Sequence, residues 1–173
     1  MEKLVRLLLC IALFTVFLVS CPNAQDNNGD GVTTTLVGSS TTTTTLGRLI
    51  THKGFTNSYQ LLNRDIKVYL PLGYDPSSDV TYPVVYMHDG QNLFFAGGPY
   101  GSWHVETAYD GLIAKDLIEP LIIVGINNTN DRIPEYTPTL DANYAGSGKG
   151  ESYVNFIIND LIPYINSNYK TKT

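Results

Sequence analysis

Runs and alternations of hydrophobic residues predict four strands. Two segments, Leu49 to Phe55 and Asp65 to Leu70, alternate between apolar and polar positions, which is typical of strands with one buried face. Two others, Val84 to Met87 and Leu121 to Ile126, are short continuous apolar runs. Such runs of β-branched and aromatic residues are typical of strands that are buried on both faces of a parallel sheet.

Apolar residues at helical spacing predict two helices, from Trp103 to Lys115 and from about Ser152 to Tyr169, with a kink or a break at Pro163. Two strands followed by strand, helix, strand and helix predict an α/β fold with a mostly parallel sheet flanked by helices. A polar turn, His88 to Asn92, follows the first continuous apolar strand. Binding groups of α/β proteins lie at the carboxyl ends of such strands, so this turn is a candidate site, with an ordinary turn as the alternative.

The N-terminal residues predict export and a lipid anchor. Lys3 and Arg6 precede an apolar run, Leu7 to Val19, which suits a signal peptide and is short for a membrane span. The run ends in Leu18-Val19-Ser20-Cys21, which resembles a bacterial lipobox. We therefore predict a signal peptide over residues 1–20, lipidation at Cys21 and a location in the cell envelope. A plain signal peptide or a signal anchor with an incidental cysteine is the alternative.

Residues 21–47 predict a linker, because this Thr-rich stretch has few large apolar side chains and cannot form a core. Within it, Asp26, Asn28, Asp30 and Gly31 match the first positions of a calcium-binding loop. The twelfth position, which needs a carboxylate, is Val37, so we expect no calcium binding. The globular domain is predicted over residues 48–173.

Composition and charge exclude several classes of partner. The chain of 173 residues carries a net charge of −5 with a pI near 5.0, whereas proteins that bind nucleic acid usually present a basic patch. No cluster of side chains has the spacing of a metal site. Cleavage before Cys21 would leave it as the only cysteine, so neither a disulfide nor a cysteine nucleophile is predicted.

Several segments in order resemble the N-terminal half of the esterase D and enterochelin-esterase-like branch of the α/β-hydrolase superfamily. They are VYLPLGYD, YPVVYMHDGQNLF, a tryptophan before a helix, IIVGI followed by asparagine, RIPEYTP and YVNFIINDLIPYINSNY, and they cover about Arg64 to Tyr169. The combination of HDGQN with R-x-x-E-Y-T-P is the most specific part. The resemblance implies an α/β-hydrolase fold, incomplete in this chain, with no cofactor.

The resemblance also implies serine ester hydrolysis, with a serine on a G-x-S-x-G elbow, a histidine base, an acid and backbone amides that hold the oxyanion. By their position, Gly90 and Gln91 would supply an oxyanion donor. Asp89, Arg132 and Glu135 would shape the substrate site, with an Arg132–Glu135 ion pair as one expected contact. A loop-bracing ion pair without substrate contact is the alternative for Arg132 and Glu135.

The catalytic triad itself is not found in the printed sequence. No G-x-S-x-G occurs, and the nearest approach, around Ser152, has Val154 at the second glycine position, so Ser152 is expected to cap a helix. None of His52, His88 and His104 lies where the family places its base, and His88 is expected to be a hydrogen-bonded structural residue. In relatives, the elbow follows a helix like the last one here within a few residues, so we expect a chain cut off before its nucleophile and inactive as printed.

Two functions follow as hypotheses. The first is an exported serine esterase, represented by its N-terminal half, that acts on a small-molecule ester, for example an acyl ester of a carbohydrate or a siderophore-like compound. The second is a non-catalytic surface lipoprotein that binds ligands through its tyrosine-rich face and the RIPEYTP loop. Both place the protein at a membrane through a lipid on Cys21, and neither involves nucleic acid.

Overall fold

The structure is a computed structural model that describes residues 47–172 except residues 96, 97, 99 and 145. The predicted signal peptide, the lipidation site at Cys21, nearly all of the linker and the calcium-like loop at Asp26 to Gly31 lie outside the described residues. No helix of the described part is long and apolar enough to cross a bilayer.

Four strands form one mixed sheet in the order β1-β2-β4-β3. β1 pairs antiparallel with β2, β2 pairs antiparallel with β4, and β4 pairs parallel with β3. The predicted α/β fold is confirmed, but among the described strands the sheet is mixed and not mostly parallel. Only β3 and β4 form a parallel pair, because β1 and β2 are the opening meander. The strands are β1 (Arg48–Phe55), β2 (Arg64–Leu70), β3 (Val84–His88) and β4 (Ile122–Ile126).

Both predicted helices are present, and one further short helix was not predicted. The helix after Trp103 is α1 (Val105–Ile113), and a short helix, α2 (Arg132–Tyr136), forms within the RIPEYTP segment. The last predicted helix is divided into α3 (Gly150–Phe156), a π-helical turn (Ile157–Leu161) and α4 (Ile162–Asn168). The chain stays helical throughout, and the predicted break is replaced by the π-helical turn just before Pro163, a residue that has no N–H to donate within a helix.

The sheet has a hydrophobic core on each face because side chains alternate along its strands. On one face, Ile122, Val124 and Ile126 of β4 pack with Phe156 and Leu161 of the last helical segments. On the other face, β4 contributes Ile123, which lies in a second cluster with other apolar and aromatic side chains: Tyr69, Leu93, Phe94 and Tyr109. The prediction that β4 is buried on both faces is therefore confirmed.

β3 differs from its prediction. We expected it to be buried on both faces, but its residues are partly buried or exposed, and Val85 is 41% exposed. β3 is the last strand in the sheet order, so in the described part of the chain one of its edges has little cover. On that edge Tyr82 exchanges backbone hydrogen bonds with Lys170 and Lys172, which places Thr171 parallel to it.

Ser152 does not cap a helix, contrary to the sequence-based expectation. α3 begins at Gly150, so Ser152 is the third residue of the helix, and Lys149 occupies the cap position. The amides at the start of α3 instead donate to carbonyl oxygens of α2 and of the residue that follows it. Lys149 N–H donates to Pro134 O at 3.0 Å, and Gly150 N–H donates to Thr137 O at 3.2 Å. These bonds join the start of α3 to the RIPEYTP segment.

Candidate active site

The predicted site begins at the tight turn that follows β3. Asp89 has a left-handed backbone, with φ of 56° and ψ of 42°, and Gly90–Asn92 form a single 3₁₀ turn. Gly90 lies directly on β4, because a Cβ on it would approach the carbonyl carbon of Gly125 to 2.6 Å. Only glycine fits this close approach of the two backbones. The turn is thereby pressed against the carboxyl end of the sheet.

The Gly90 and Gln91 amides are unused as donors within the described residues, since neither N–H finds a hydrogen-bond acceptor there. The next amide, that of Asn92, donates to Asp89 O at 2.9 Å and is occupied. Two adjacent unused amides on a fixed turn form the kind of arrangement that can hold a developing negative charge. Their assignment to an oxyanion hole stays a prediction.

Asp89 is the centre of the hydrogen-bond network at this turn, and its side chain is mostly buried. Its Oδ1 accepts bonds from Asn128 Nδ2 at 2.6 Å and Arg132 Nε at 2.9 Å, with Tyr136 OH at 3.4 Å. Its Oδ2 accepts a bond from Arg132 Nη2 at 2.8 Å. The bonds from Arg132 are the main reason why the pKa of Asp89 lies below its usual value. Asp89 is therefore a carboxylate at neutral pH.

The expected Arg132–Glu135 ion pair is not formed. Arg132 pairs with Asp89 instead, while Glu135 accepts two hydrogen bonds from Arg64 of β2, at 2.6 and 2.8 Å. The two residues point in different directions from α2, Arg132 toward the β3 turn and Glu135 into the core. The Glu135 side chain is 0% exposed, so contact between Glu135 and a substrate, as we predicted, is not supported.

His88 has the structural environment expected from the sequence. Its Nδ1 lies 3.1 Å from the hydroxyl of Tyr153, and its ring packs against those of Tyr136 and Tyr153. Partial burial of the ring lowers the pKa of His88; the neighbouring Asp89 carboxylate opposes this shift, and Arg132 adds to it. The imidazole is neutral at pH 7. Burial also raises the pKa of Tyr136 and of Tyr153, so both hydroxyls keep their protons.

The other two histidines lie away from this turn. His52 of β1 is held between two tyrosine hydroxyls of the C-terminal segment, Tyr169 at 2.6 Å and Tyr164 at 3.0 Å. His104 precedes α1 and is exposed, with Nδ1 3.5 Å from Glu106. Among the described residues, no group of three or more His, Cys, Asp and Glu side chains is arranged to hold a metal ion.

An open cavity of about 520 Å³ lies beside Arg132. Its two charged lining residues each have a counter-charge: Arg132 binds Asp89, and Asp131 accepts a 2.6 Å bond from Lys149. The rest of the lining is neutral, with amide, apolar and aromatic side chains: Asn130, Ile133, Pro134, Asn143 and Tyr144. A second, smaller cavity at the start of β1 and the end of β2 is lined by other residues.

Sequence analysis missed Asn128 and Arg64. Asn128 lies in the polar loop after β4, and Arg64 opens β2, 71 positions before its partner Glu135. Asn128 could have been predicted from its position after β4, because the carboxyl ends of adjacent parallel strands meet at one edge of a sheet and bring the residues that follow them together. No local pattern marks Arg64, since a charged residue at a strand end is ordinarily solvated.

A family model described as "Putative esterase" matches residues 60–173. A ferulic acid esterase from Anaeromyces mucronatus, solved in complex with ferulic acid, is 20% identical with a TM-score of 0.52, over 91% of this chain and 53% of that one. An IroE-like serine hydrolase from Shewanella oneidensis is 25% identical with a TM-score of 0.49, over 72% of this chain and 40% of that one. The α/β-hydrolase fold is shown by the first of these likenesses. The chain thus spans about half or less of the length of the structures that it matches.

Proposed function

The chain belongs to the esterase family that this model describes, and from that premise we propose that it is part of an exported serine ester hydrolase. In this proposal Gly90 and Gln91 supply oxyanion donors, while Asp89 and Arg132 shape the substrate site. The printed sequence has no G-x-S-x-G, so no residue of it is assigned as nucleophile, base or acid.

The observation that carries the proposal is the pair of unused amides, Gly90 and Gln91, on a turn at the carboxyl end of β3. In ester hydrolysis a serine oxygen attacks the acyl carbon, and the carbonyl oxygen becomes an oxyanion. Amides that are fixed before the reaction stabilise this charge without reorganising, and one such donor contributes about 3 kcal/mol. Glycine at position 90 brings the backbone itself close to the reacting carbonyl.

Arg132 is the residue of the network best placed to contact a substrate. Its side chain is about half exposed and lines the open cavity, while Nε and Nη2 are used by Asp89. The remaining guanidinium hydrogens can donate to a substrate oxygen. Asp89 already neutralises the charge of Arg132, which favours a neutral acceptor such as a hydroxyl over a second carboxylate.

A non-catalytic surface lipoprotein that binds ligands is the second candidate. Exposed aromatic side chains near Arg132 favour it, because Tyr144 lines the cavity and Tyr100 is 87% exposed. Exposed aromatic rings offer flat apolar faces for sugars and other organic ligands. In either case we propose that the protein is exported and held at the membrane by a lipid on Cys21, on the strength of the N-terminal sequence.

Labelling with a fluorophosphonate probe separates the two candidates. The probe reacts with an activated serine, so the native protein purified from its source should be labelled if it is an esterase. Boiled protein is the control for nonspecific reaction, and intact mass reports both the true length of the chain and a lipid on Cys21. If the protein is folded, its mass corresponds to a chain whose last residue is Thr173, and the probe does not label it, the esterase proposal is overturned and the binding protein is supported.

A further inference from the structure

We infer that Asn128 is a positioning residue that fixes the Gly90 and Gln91 amides; this inference rests on the proposed function. Asn128 makes two hydrogen bonds across to the β3 turn. Its backbone N–H donates to Gln91 Oε1 at 3.0 Å, and its side-chain Nδ2 donates to Asp89 Oδ1 at 2.6 Å. The two acceptors lie on either side of Gly90. We call this pair of bonds the Asn128 clip.

The Asn128 clip adds side-chain contacts to a turn whose backbone bonds run from Asn92 N–H to Asp89 O at 2.9 Å and from Leu93 N–H to Gly90 O at 3.4 Å. Gly90 and Gln91 donate to no acceptor among the described residues, so their orientation is not set by the bonds that they make themselves. Asp89 has a left-handed backbone that is uncommon for a residue with a side chain, although Asp tolerates it better than most. Contact between Gly90 and Gly125 fixes how close the turn lies to the sheet. The bonds to the side chains of residues 89 and 91 then limit its rotation.

Asn128 is itself held on both sides in the loop that follows β4. Asn127 N–H donates to Asp65 O of the β2 strand at 3.1 Å, and Asp131 N–H donates to Thr129 Oγ1 at 3.1 Å. Arg132 then returns to Asp89 with two further bonds. The Asn128 clip therefore connects the turn after β3 to a loop that is hydrogen-bonded to the sheet. It is a link between two strand ends, distinct from contact with a substrate.

Loss of the clip should reduce catalysis without removing any oxyanion donor. Side-chain substitutions leave the backbone N–H groups in place, so any effect on the reaction comes from their orientation. A misplacement of about 1 Å can reduce the rate by roughly 100-fold, and removal of a whole donor costs about 100- to 1,000-fold in kcat. We expect kcat to fall by about 10- to 100-fold, while KM changes by less than about threefold.

The test compares three single variants of the full native chain. Asn128→Ala removes the bond to Asp89, and Gln91→Met removes the acceptor for Asn128 N–H with little change in side-chain size. Asn159→Ala is the matched control, because Asn159 is exposed and its side chain donates one bond to Tyr59 OH, far from the turn. Each rate is divided by the number of sites titrated with a fluorophosphonate probe, so that partly unfolded protein does not count.

NMR order parameters of the Gly90 and Gln91 amides provide a second readout that needs no activity. We expect rigid values of about 0.85 in the wild type and in Asn159→Ala, and values below about 0.6 in the two clip variants. Unchanged order parameters, or a kcat per titrated site that stays at the wild-type value, would overturn the role of Asn128. If the wild type neither reacts with the probe nor hydrolyses esters, the proposed function fails, and the clip is judged on the order parameters alone.

Discussion

The buried ion pair between Arg64 and Glu135 gives the most demanding test of how this domain is held together. Its partners come from the start of β2 and from α2, and their side chains are 1% and 0% exposed. The Arg64 guanidinium also packs over the rings of Tyr153 and Phe156, with centroid distances of 5.3 and 5.1 Å. Replacing Glu135 with glutamine leaves this cation buried without its counter-charge.

The expected cost follows from the contacts that are lost. Glu135 accepts two charge-assisted hydrogen bonds from Arg64, and glutamine retains one neutral acceptor oxygen for them. Breaking a buried pair from one side costs about 3–5 kcal/mol, because the remaining charge stays desolvated. We therefore expect Glu135→Gln to reduce the free energy of unfolding by about 3 kcal/mol, and Arg64→Met by about 3–5 kcal/mol.

The double variant Arg64→Met with Glu135→Leu should behave differently from the sum of its parts. It replaces both charges with apolar groups of similar size, and such exchanges of a buried ion pair are often neutral or stabilising. The surface pair Asp131–Lys149, with side chains 31% and 40% exposed, is the matched control. Lys149→Met should cost less than about 1 kcal/mol, since surface ion pairs contribute little.

Urea unfolding of the full native protein, followed by circular dichroism, measures these four variants and the single variant Glu135→Leu, which the comparison with the double variant needs, with one method. A loss below about 1 kcal/mol for Glu135→Gln would show that water or a neighbouring group compensates the charge of Arg64. A double variant as unstable as the two single variants combined would also refute the reasoning, because it would mean that the packing of the charged groups matters more than their mutual compensation.

Three further predictions concern other parts of the domain. Burial lowers the pKa of both His52 and His88, so around and below pH 6.5 the unfolded state binds more protons than the folded state. Stability should be nearly constant above about pH 7.5 and fall as the pH decreases through 6.5. His88→Gln should reduce that slope in urea unfolding across pH 5 to 8. Gly90→Ala should destabilise by about 2 kcal/mol through its clash with β4, whereas Gly111→Ala, with open space around it on α1, should stabilise by about 0.5–1 kcal/mol in thermal unfolding. Residues 48–173 expressed alone should bind a hydrophobic dye or aggregate because of the poorly covered edge of β3; a monomer that melts cooperatively would contradict this.

Much of the fold could be predicted from periodicity, and the exceptions have a physical reason. The sequence of β4 predicts a strand that is buried on both faces. The structure shows such a strand, because β4 lies between β2 and β3. β3 has the same kind of sequence yet is partly exposed, since burial depends on a neighbour that periodicity does not reveal. The π-helical turn before Pro163 could be predicted only as a kink or a break.

The site was predicted less completely because its contacts connect distant parts of the chain. The Asp89–Asn92 turn was found because polar residues directly follow an apolar strand, whereas Arg132 was predicted from the resemblance to the esterase family. The predicted ion pair joined Arg132 to Glu135, which lies three positions further along the chain. The observed partner of Arg132 is Asp89, which lies 43 positions away. Asn128 was missed for a similar reason, since its role depends on the adjacency of β3 and β4.

The pairing of charges around the open cavity has a consequence for how fast a ligand arrives. Both charged lining residues, Arg132 and Asp131, have a counter-charge within 2.8 Å, so the cavity presents little net field to the solvent. Long-range attraction speeds the association of charged ligands and weakens as ionic strength rises. Without such attraction, encounter is left to diffusion and orientation, and the association rate should be nearly the same in dilute buffer and in strong salt.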